Sequence, residues 1–234
     1  MCGRYRLSRR KEYLAKHFGV DPGEMDWEPR YNIAPTQLVP VLRQDRKEPV
    51  RHASMMRWGF IPYWAKDPSI GARTINARAE TAATRPAFRE SLERRRCLIP
   101  ADGFYEWKRS GKTKQPFCFE VEDGELFAFA ALWDRWRSPD GNLVESCTIL
   151  TTTPNRLLTD IHDRMPVILP PDNYDLWLDP GMTHKASAVD LLRPYDATLM
   201  NGYPVSARVN AVANDDAECS LRIEVPQTAP SLFD

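Results

Sequence analysis

The sequence predicts an α+β domain built on one curved, barrel-like mixed sheet flanked by helices. Three observations predict it. Between residues 97 and 152, strand-length apolar runs follow one another, separated by turn signals at 101–103, 110–111, 123–124 and 139–142. Helix-like segments occur at intervals on both sides of that block, at 8–19, 86–96, 153–160, 172–178 and 185–192. The 234 residues suffice for one substantial core, and no internal repeat or low-complexity tract divides them.

In chain order, a short strand-like start is followed by Ser8, the expected N-cap of a helix that ends at Gly19 with Leu14 and Phe18 on one face. Residues 21–36 are rich in Pro and Asp and are expected to be irregular. A strand is expected at 38–42, where Pro40 marks an edge or a bulge. Residues 55–62 lead into a loop, 63–72, that carries Trp64, and loops presenting an aromatic are candidate contact surfaces. The stretch 74–81 is polar where a core strand would be apolar. Pro86 opens a helix that turns Phe88 and Leu92 inward and ends near Arg94, Arg95 and Arg96. The strands 97–100, 104–108, 117–122, 126–136 and 144–152 are then expected to run as a meander. Thr153 and Pro154 cap and open a helix to about Asp160, two short helices follow, and a strand is expected near 205–209. The domain is expected to span 2–224, with 225–234, polar and containing Pro, extending from it as a flexible tail.

Charge narrows the possible partners. With 32 basic and 32 acidic side chains the chain is neutral, so any nucleic-acid site must be a local patch. Such an excess exists between residues 73 and 96, where seven arginines face three glutamates. Five cysteines, widely spaced and without a C-x-x-C pair, fit reduced thiols and give no support to a metal site or other cofactor. No apolar run approaches the ~18 residues of a membrane span and the N-terminus has no signal-peptide core, so a cytoplasmic protein is expected, nucleoid-associated in a bacterium. Nothing reads as a coiled coil or an obligate dimer face, so a monomer is expected.

Residues 1–4, Met-Cys-Gly-Arg, carry the most distinctive chemistry. Removal of Met1 would leave a cysteine whose α-amine (pKa about 7.7–8.0) and thiol (about 8.5) both titrate near neutrality. An aldehyde can condense with the amine, and the thiol can close a five-membered thiazolidine on the same carbon. Intramolecular closure of this kind can reach effective molarities of roughly 10⁵ M or more. Strand alternation places Phe104 and Glu106 on one face and Tyr105 and Trp107 on the other. A carboxylate beside an aromatic in a central strand is costly to bury without a partner, which makes Glu106 a site candidate or half of a structural ion pair. His162, flanked by Asp160, Asp163 and Arg164 where a helix should give way to a strand, admits both a structural and a catalytic role.

Six motifs taken together, MCGR at 1–4, YNIAPTQ at 31–37, WGFIP at 58–62, TINARAET at 74–81, PADGFYEW at 100–107 and HDRMPVIL at 162–169, resemble the SOS-response-associated peptidase (SRAP) family, whose members process abasic sites in DNA. The resemblance runs from about residue 2 to 210 and implies the family's fold. It also implies that Cys2 attacks the ring-opened sugar of an abasic site in single-stranded DNA, giving a thiazolidine crosslink that shields the lesion. By the same resemblance Asn76 would orient the sugar and the amine, Glu106 would shuttle protons, and His162 would act as acid or base on the sugar hydroxyl. Arg4, Arg78 and Arg164 would bind flanking phosphates, and Trp58, Trp64 and Trp107 would offer faces to bases or wedge the strand.

Three rivals remain open at this level. An N-terminal-nucleophile hydrolase of the amidotransferase kind also begins Met-Cys-Gly, but it would need glycine-rich loops for an oxyanion hole, and the 11 glycines show none. A thiol peptidase could use Cys2 with His162 and Glu106 or Asn76, and loss of Met1 could be its whole activity. A DNA-binding module with an incidental Cys2 is the third. Separately, Gln227 through Asp234 resembles the peptides that dock in sliding-clamp grooves, with Leu232 and Phe233 as the anchors.

Overall fold

Strand runs that alternate or stay apolar can bury a face only by closing on one another, and here five of them do. The computed structural model of the protein describes residues 2–21, 25–44, 50–111, 113–182 and 185–224. In order the elements are β1 (Tyr5–Leu7), α1 (Lys11–Phe18), β2 (Arg30–Ile33), β3 (Leu38–Gln44), β4 (Arg51–Trp58), β5 (Asn76–Arg78), α2 (Ala79–Ala82), α3 (Arg89–Arg94), β6 (Arg96–Ala101), β7 (Gly103–Ser110) and β8 (Thr113–Val121). They continue with β9 (Phe127–Arg137), β10 (Leu143–Thr152), β11 (Met165–Pro166), β12 (Ile168–Leu169), α4 (Tyr174–Leu178), α5 (Lys185–Asp190) and β13 (Met200–Pro204).

Strands β10, β4, β3, β6 and β9 pair in that order, and β9 returns to β10 to close a barrel. Only β4 with β10 is parallel (Arg57↔Ser146, Trp58↔Cys147), so the barrel is mixed, as expected. β9 begins as an unbroken apolar run, Phe127 to Leu132, all buried, because the barrel interior takes one face and helices α3 and α4 cover the outside. A second, antiparallel sheet has the order β13-β8-β7-β1-β2. Tyr5 and Phe104 join the two layers, Tyr5 meeting Trp58 and Phe129 edge-on at 5.4 and 5.7 Å, and Phe104 meeting Phe129 edge-on at 6.1 Å. Each such ring contributes about 2–3 kcal/mol on burial.

Several local expectations are corrected. The turn at 101–103 makes no hairpin, because β6 belongs to the barrel and β7 to the second sheet, so the chain crosses between layers at Asp102. Gly103 is required there, since a Cβ would lie 2.9 Å from Arg6 Nε. The chain crosses back between β8 and β9, which breaks the meander a second time. Ser8 does not cap α1, whose N-cap is Arg10, because the Ser8 amide and hydroxyl both donate to Asp102 Oδ2 at 2.7 Å. The helix does end at Gly19, in the left-handed conformation at φ 63°. Residues 21–36 contain strand β2, and the expected helix from Thr153 is replaced by irregular backbone at 153–155 and successive turns at 156–161, because Asn155 Oδ1 accepts from the amides of Leu157 and Leu158. The late strand precedes 205–209 as β13, and 207–210 is a 3-10 turn. Pro40 sits where β3 pairs with β4 alone, since β6 joins β3 only at Leu42↔Leu98. The expected tail, 225–234, lies outside the described residues.

Candidate active site

The two layers converge on the N-terminus. Antiparallel pairing of β1 with β7 sets Tyr5 opposite Phe104, and the Tyr105 amide donates to the Arg4 carbonyl at 3.0 Å. Continuing that register carries Cys2 alongside the stretch that holds Glu106. Cys2 is fully buried, and burial followed by the charge of Glu106 pushes its thiol well above the ordinary range. Glu106 is itself buried, and the loss of solvent pushes its carboxyl up to about 7. The thiol is therefore held neutral beside a carboxyl that exchanges protons near physiological pH.

Asn76 reaches the site on β5, which adds parallel to β10 through Asn76↔Ile149. Its Nδ2 donates to the Cys2 carbonyl at 2.8 Å. Arg78, two residues along the same face, is exposed. His162 ends the turn run, its amide bonded to Leu158 O at 2.9 Å. The ring's Nδ1 accepts from the Arg164 amide at 3.0 Å, which assigns the proton of the neutral ring to Nε2. Asp163 Oδ1 also lies 2.9 Å from Nδ1, a contact that becomes favourable only when the ring is protonated. Partial burial lowers the His162 pKa, so the neutral form and the amide contact describe the resting state.

A cavity of about 760 Å³ opens over Glu106 and His162, lined also by Arg4, Trp107, Arg109 and Lys114 among others. Arg4 Nη1 donates to Asn32 Oδ1 and to Val209 O, each at 2.7 Å, and its guanidinium lies over the Trp107 ring at 5.9 Å. Trp107 Nε1 in turn donates to Asn210 Oδ1 at 2.7 Å. Segment 207–210, which the sequence marked only as part of a strand and not of the site, thus forms one wall. Asn32 ties that wall down by donating to the carbonyls of Val209, Ala211 and Asn214.

Two residues expected to touch DNA are occupied elsewhere. Trp58 is fully enclosed and donates from Nε1 to Ile75 O at 2.9 Å, so it has no face for a base. Arg164 is buried, holds Glu80 with two bonds of 2.7 and 2.9 Å, and donates to Thr151 O at 2.5 Å. Its guanidinium anchors the 162–164 turn to β10 and α2. Trp64 is 49% exposed and stands apart from the cavity walls. In the arginine-rich stretch, Arg96 is also committed, bonding the carbonyls of Leu92, Glu93, Trp177 and Asp179. Sequence reasoning missed Arg109, Lys114, Asn32 and Asn210. The first two carried a signal, four cations and no acid within 107–116. Among the described residues no group of three or more His, Cys, Asp or Glu side chains is arranged to hold a metal, and no helix is long and apolar enough to cross a membrane.

The family model described as SOS response associated peptidase (SRAP) matches residues 1–212. The abasic site processing protein YoqW of Bacillus subtilis is 45% identical, over 93% of this chain and 98% of its own. The abasic site processing protein YedK of Escherichia coli is 34% identical over 93% and 98%, and HMCES of Gallus gallus, named likewise, is 34% identical over 85% and 68%. A crystal structure of a protein from Bacteroides thetaiotaomicron superposes with a TM-score of 0.87 at 27% identity, covering 95% of this chain and all of that one. One from Bordetella bronchiseptica gives 0.76 at 30% identity, covering 88% of this chain and all of that one.

Proposed function

The chain belongs to the SOS response associated peptidase (SRAP) family, and from that premise we propose that it processes abasic sites in single-stranded DNA by covalent capture through Cys2 once Met1 is removed. The observation that carries this reading is the convergence of a buried N-terminal cysteine, an asparagine bonded to its carbonyl and a carboxyl that titrates near 7.

The α-amine adds to the C1 aldehyde of the ring-opened sugar to give a carbinolamine, which loses water to leave a protonated imine. The thiol then adds to the imine carbon, its proton passes to a base, and the nitrogen takes the electron pair of the C=N bond. A thiazolidine results, and one water is released overall. Because burial holds the thiol protonated, the amine reacts first and the thiol second. Glu106 supplies the proton that expels water and then takes the thiol proton, tasks suited to a pKa of about 7. Asn76 orients the Cys2 backbone, and His162, through Nε2, gives and takes the proton of the sugar oxygen as the ring opens. The same steps run backwards release the crosslink. Arg4 and Arg78 contact phosphates, and Trp64 and Trp107 meet bases. In this reading Trp58 and Arg164 hold up the site from inside.

Removal of Met1 by attack of the Cys2 thiol on the preceding carbonyl would account for the peptidase in the family name. The reading also takes the protein to act as a monomer on nucleoid DNA in the cytoplasm, with Leu232 and Phe233 as a sliding-clamp contact.

The deciding experiment incubates the protein, with loss of Met1 confirmed by mass spectrometry, with a single-stranded oligonucleotide carrying one abasic site. A heat-stable shifted band on a denaturing gel, absent for Cys2→Ala, is expected. No band from the wild-type protein would sink covalent capture and bring the amide-hydrolase reading forward.

A further inference from the structure

In the β7–β8 ribbon Arg109 stands directly opposite Lys114. Like charges at directly opposed positions destabilise a strand pair, so such a pair needs a reason. Neither side chain forms a hydrogen bond or ion pair with any described residue, and both are exposed. Both line the cavity that Glu106 and His162 also line. Acids share that cavity, namely Glu106, Asp160 and Asp163, but Asp163 lies against His162 and none approaches the pair within ion-pair distance. The sequence around the ribbon tip reinforces the excess, with Lys108, Arg109, Lys112 and Lys114 and no acid within 107–116, in a chain whose net charge is zero.

The pair also has a definite place relative to the aromatic beside it. Trp107 and Arg109 are two residues apart on one face of β7, and Lys114, paired with Arg109, shares that face. Arg4 lies over the Trp107 ring. A cation, an indole and two further cations therefore follow one another along the face. Alternating ring and cation is what a single strand recognises, bases stacking on the ring while phosphates meet the charges.

We infer that Arg109 and Lys114 form a phosphate-binding subsite that holds the DNA backbone on one flank of the reacting sugar. The inference deepens the proposed function and rests on it for the identity of the polyanion. The two charges would be neutralised together by phosphodiesters, which removes the repulsion that the free ribbon carries. Contacts of this kind position the strand without reading its sequence.

Binding of an intact single-stranded oligonucleotide, without an abasic site, is measured by fluorescence anisotropy over a salt series for the wild-type protein and for Arg109→Gln/Lys114→Gln. Both residues are exposed, so the variant is expected to fold, and its circular dichroism and melting curve check this. Removing one cation that meets a phosphate lowers the slope of log affinity against log salt by about 0.7 on single strands, so a drop of about 1.4 is expected for the pair. Abasic oligonucleotides with the lesion near one end or the other locate the flank. The variant should need more DNA for half-maximal crosslinking on one of them and match the wild-type protein on the other. Unchanged salt slopes, or equal weakening on both oligonucleotides, overturn the subsite. A lowered slope in a protein that forms no crosslink would overturn covalent capture and leave the subsite standing, while a wild-type protein that does not bind DNA overturns both.

Discussion

Asn76 Nδ2 donates to the Cys2 carbonyl at 2.8 Å, while the buried Oδ1 of the same amide has no hydrogen-bond partner among the described residues. A buried acceptor left unmatched costs about 1–3 kcal/mol, so its persistence points to a donor that arrives later. The α-amine of Cys2, exposed when Met1 leaves, belongs to the residue that Asn76 already grips. We predict that Asn76→Asp, which keeps the shape but turns an acceptor toward the Cys2 carbonyl, slows crosslinking by about 10–100-fold, the equivalent of losing roughly 1.4–2.8 kcal/mol. Single-turnover crosslinking kinetics at fixed pH provide the measurement, and a rate equal to that of the wild-type protein would remove Asn76 from the mechanism.

Glu106 links activity to a stability cost. Its carboxyl is raised from 4.5 to about 7 by burial, so the folded chain binds a proton that the unfolded chain has released between those values. Stability is therefore greatest below that window and falls as pH rises through it, by on the order of 3 kcal/mol. We predict that Glu106→Gln melts about 6–12 °C above the wild-type protein at pH 8, that the gap closes below pH 4.5, and that crosslinking falls by about 10²-fold or more. A gap that does not change with pH would contradict the buried-carboxyl account.

The order of bond formation gives a third expectation. If the amine adds first, Cys2→Ser still presents an N-terminal amine and forms the imine, but its hydroxyl closes a less stable ring. With Met1 removed from both variants by a methionine aminopeptidase and its loss confirmed by mass spectrometry, the serine variant should give little heat-stable crosslink yet be captured on addition of borohydride, whereas Cys2→Ala, which then has the amine and no ring-closing group, should be captured in the same way and form no ring. A serine variant that borohydride cannot trap would indicate that the thiol reacts first.

Much of the barrel was legible because its strands announce themselves locally. Alternation in Phe104 to Trp107 put Phe104 and Tyr105 on opposite faces, and they are buried in separate clusters, Phe104 with the barrel core and Tyr105 with Cys118, Tyr203 and Val209. Ser110-Gly111 marked a true hairpin, whereas Asp102-Gly103 looked the same and is a crossing between sheets. The difference lies in Arg6 and Ser8, distant in sequence, which hold Asp102 in place. Strand β2 was hidden for a similar reason, since the amides of Tyr31 and Asn32 are held by Asp215 from far down the chain.

The site was legible in its motifs and less so in its geometry. Cys2, Asn76 and Glu106 were named from the sequence, and they lie around one point. Membership of a motif does not say which way a side chain turns, so Trp58 and Arg164 were grouped with the surface although both face inward. Arg109 and Lys114 escaped because their relation exists only once the hairpin register is known.

The C-terminal segment yields a prediction that is independent of the fold. Residues 225–234 lie outside the described structure, and their sequence ends in Leu232, Phe233 and Asp234. Truncation after Val225 should leave crosslinking intact and abolish association with a sliding clamp. Absence of clamp binding by the intact protein at micromolar concentration would end that idea.

Glu80 and Arg164 support the site from beneath, and they test whether His162 acts through its placement. Arg164 joins β10 to α2 through Glu80, and its own amide fixes His162 Nδ1. The arginine holds the Glu80 carboxyl below its usual range, so the stabilisation is present above that range and lost as pH falls through the lowered value. Replacing Glu80 by Gln keeps one acceptor and loses the charge; with the carboxylate about half exposed and screened by water, this should cost about 0.5–1 kcal/mol, or about 1–4 °C in Tm at neutral pH. If the pair places the histidine, Glu80→Gln should also slow crosslinking while leaving the affinity for intact single-stranded DNA unchanged, because neither side chain reaches the cavity. Loss of DNA affinity in this variant would mean that Arg164 contacts the strand after all and would reverse the assignment made from its burial.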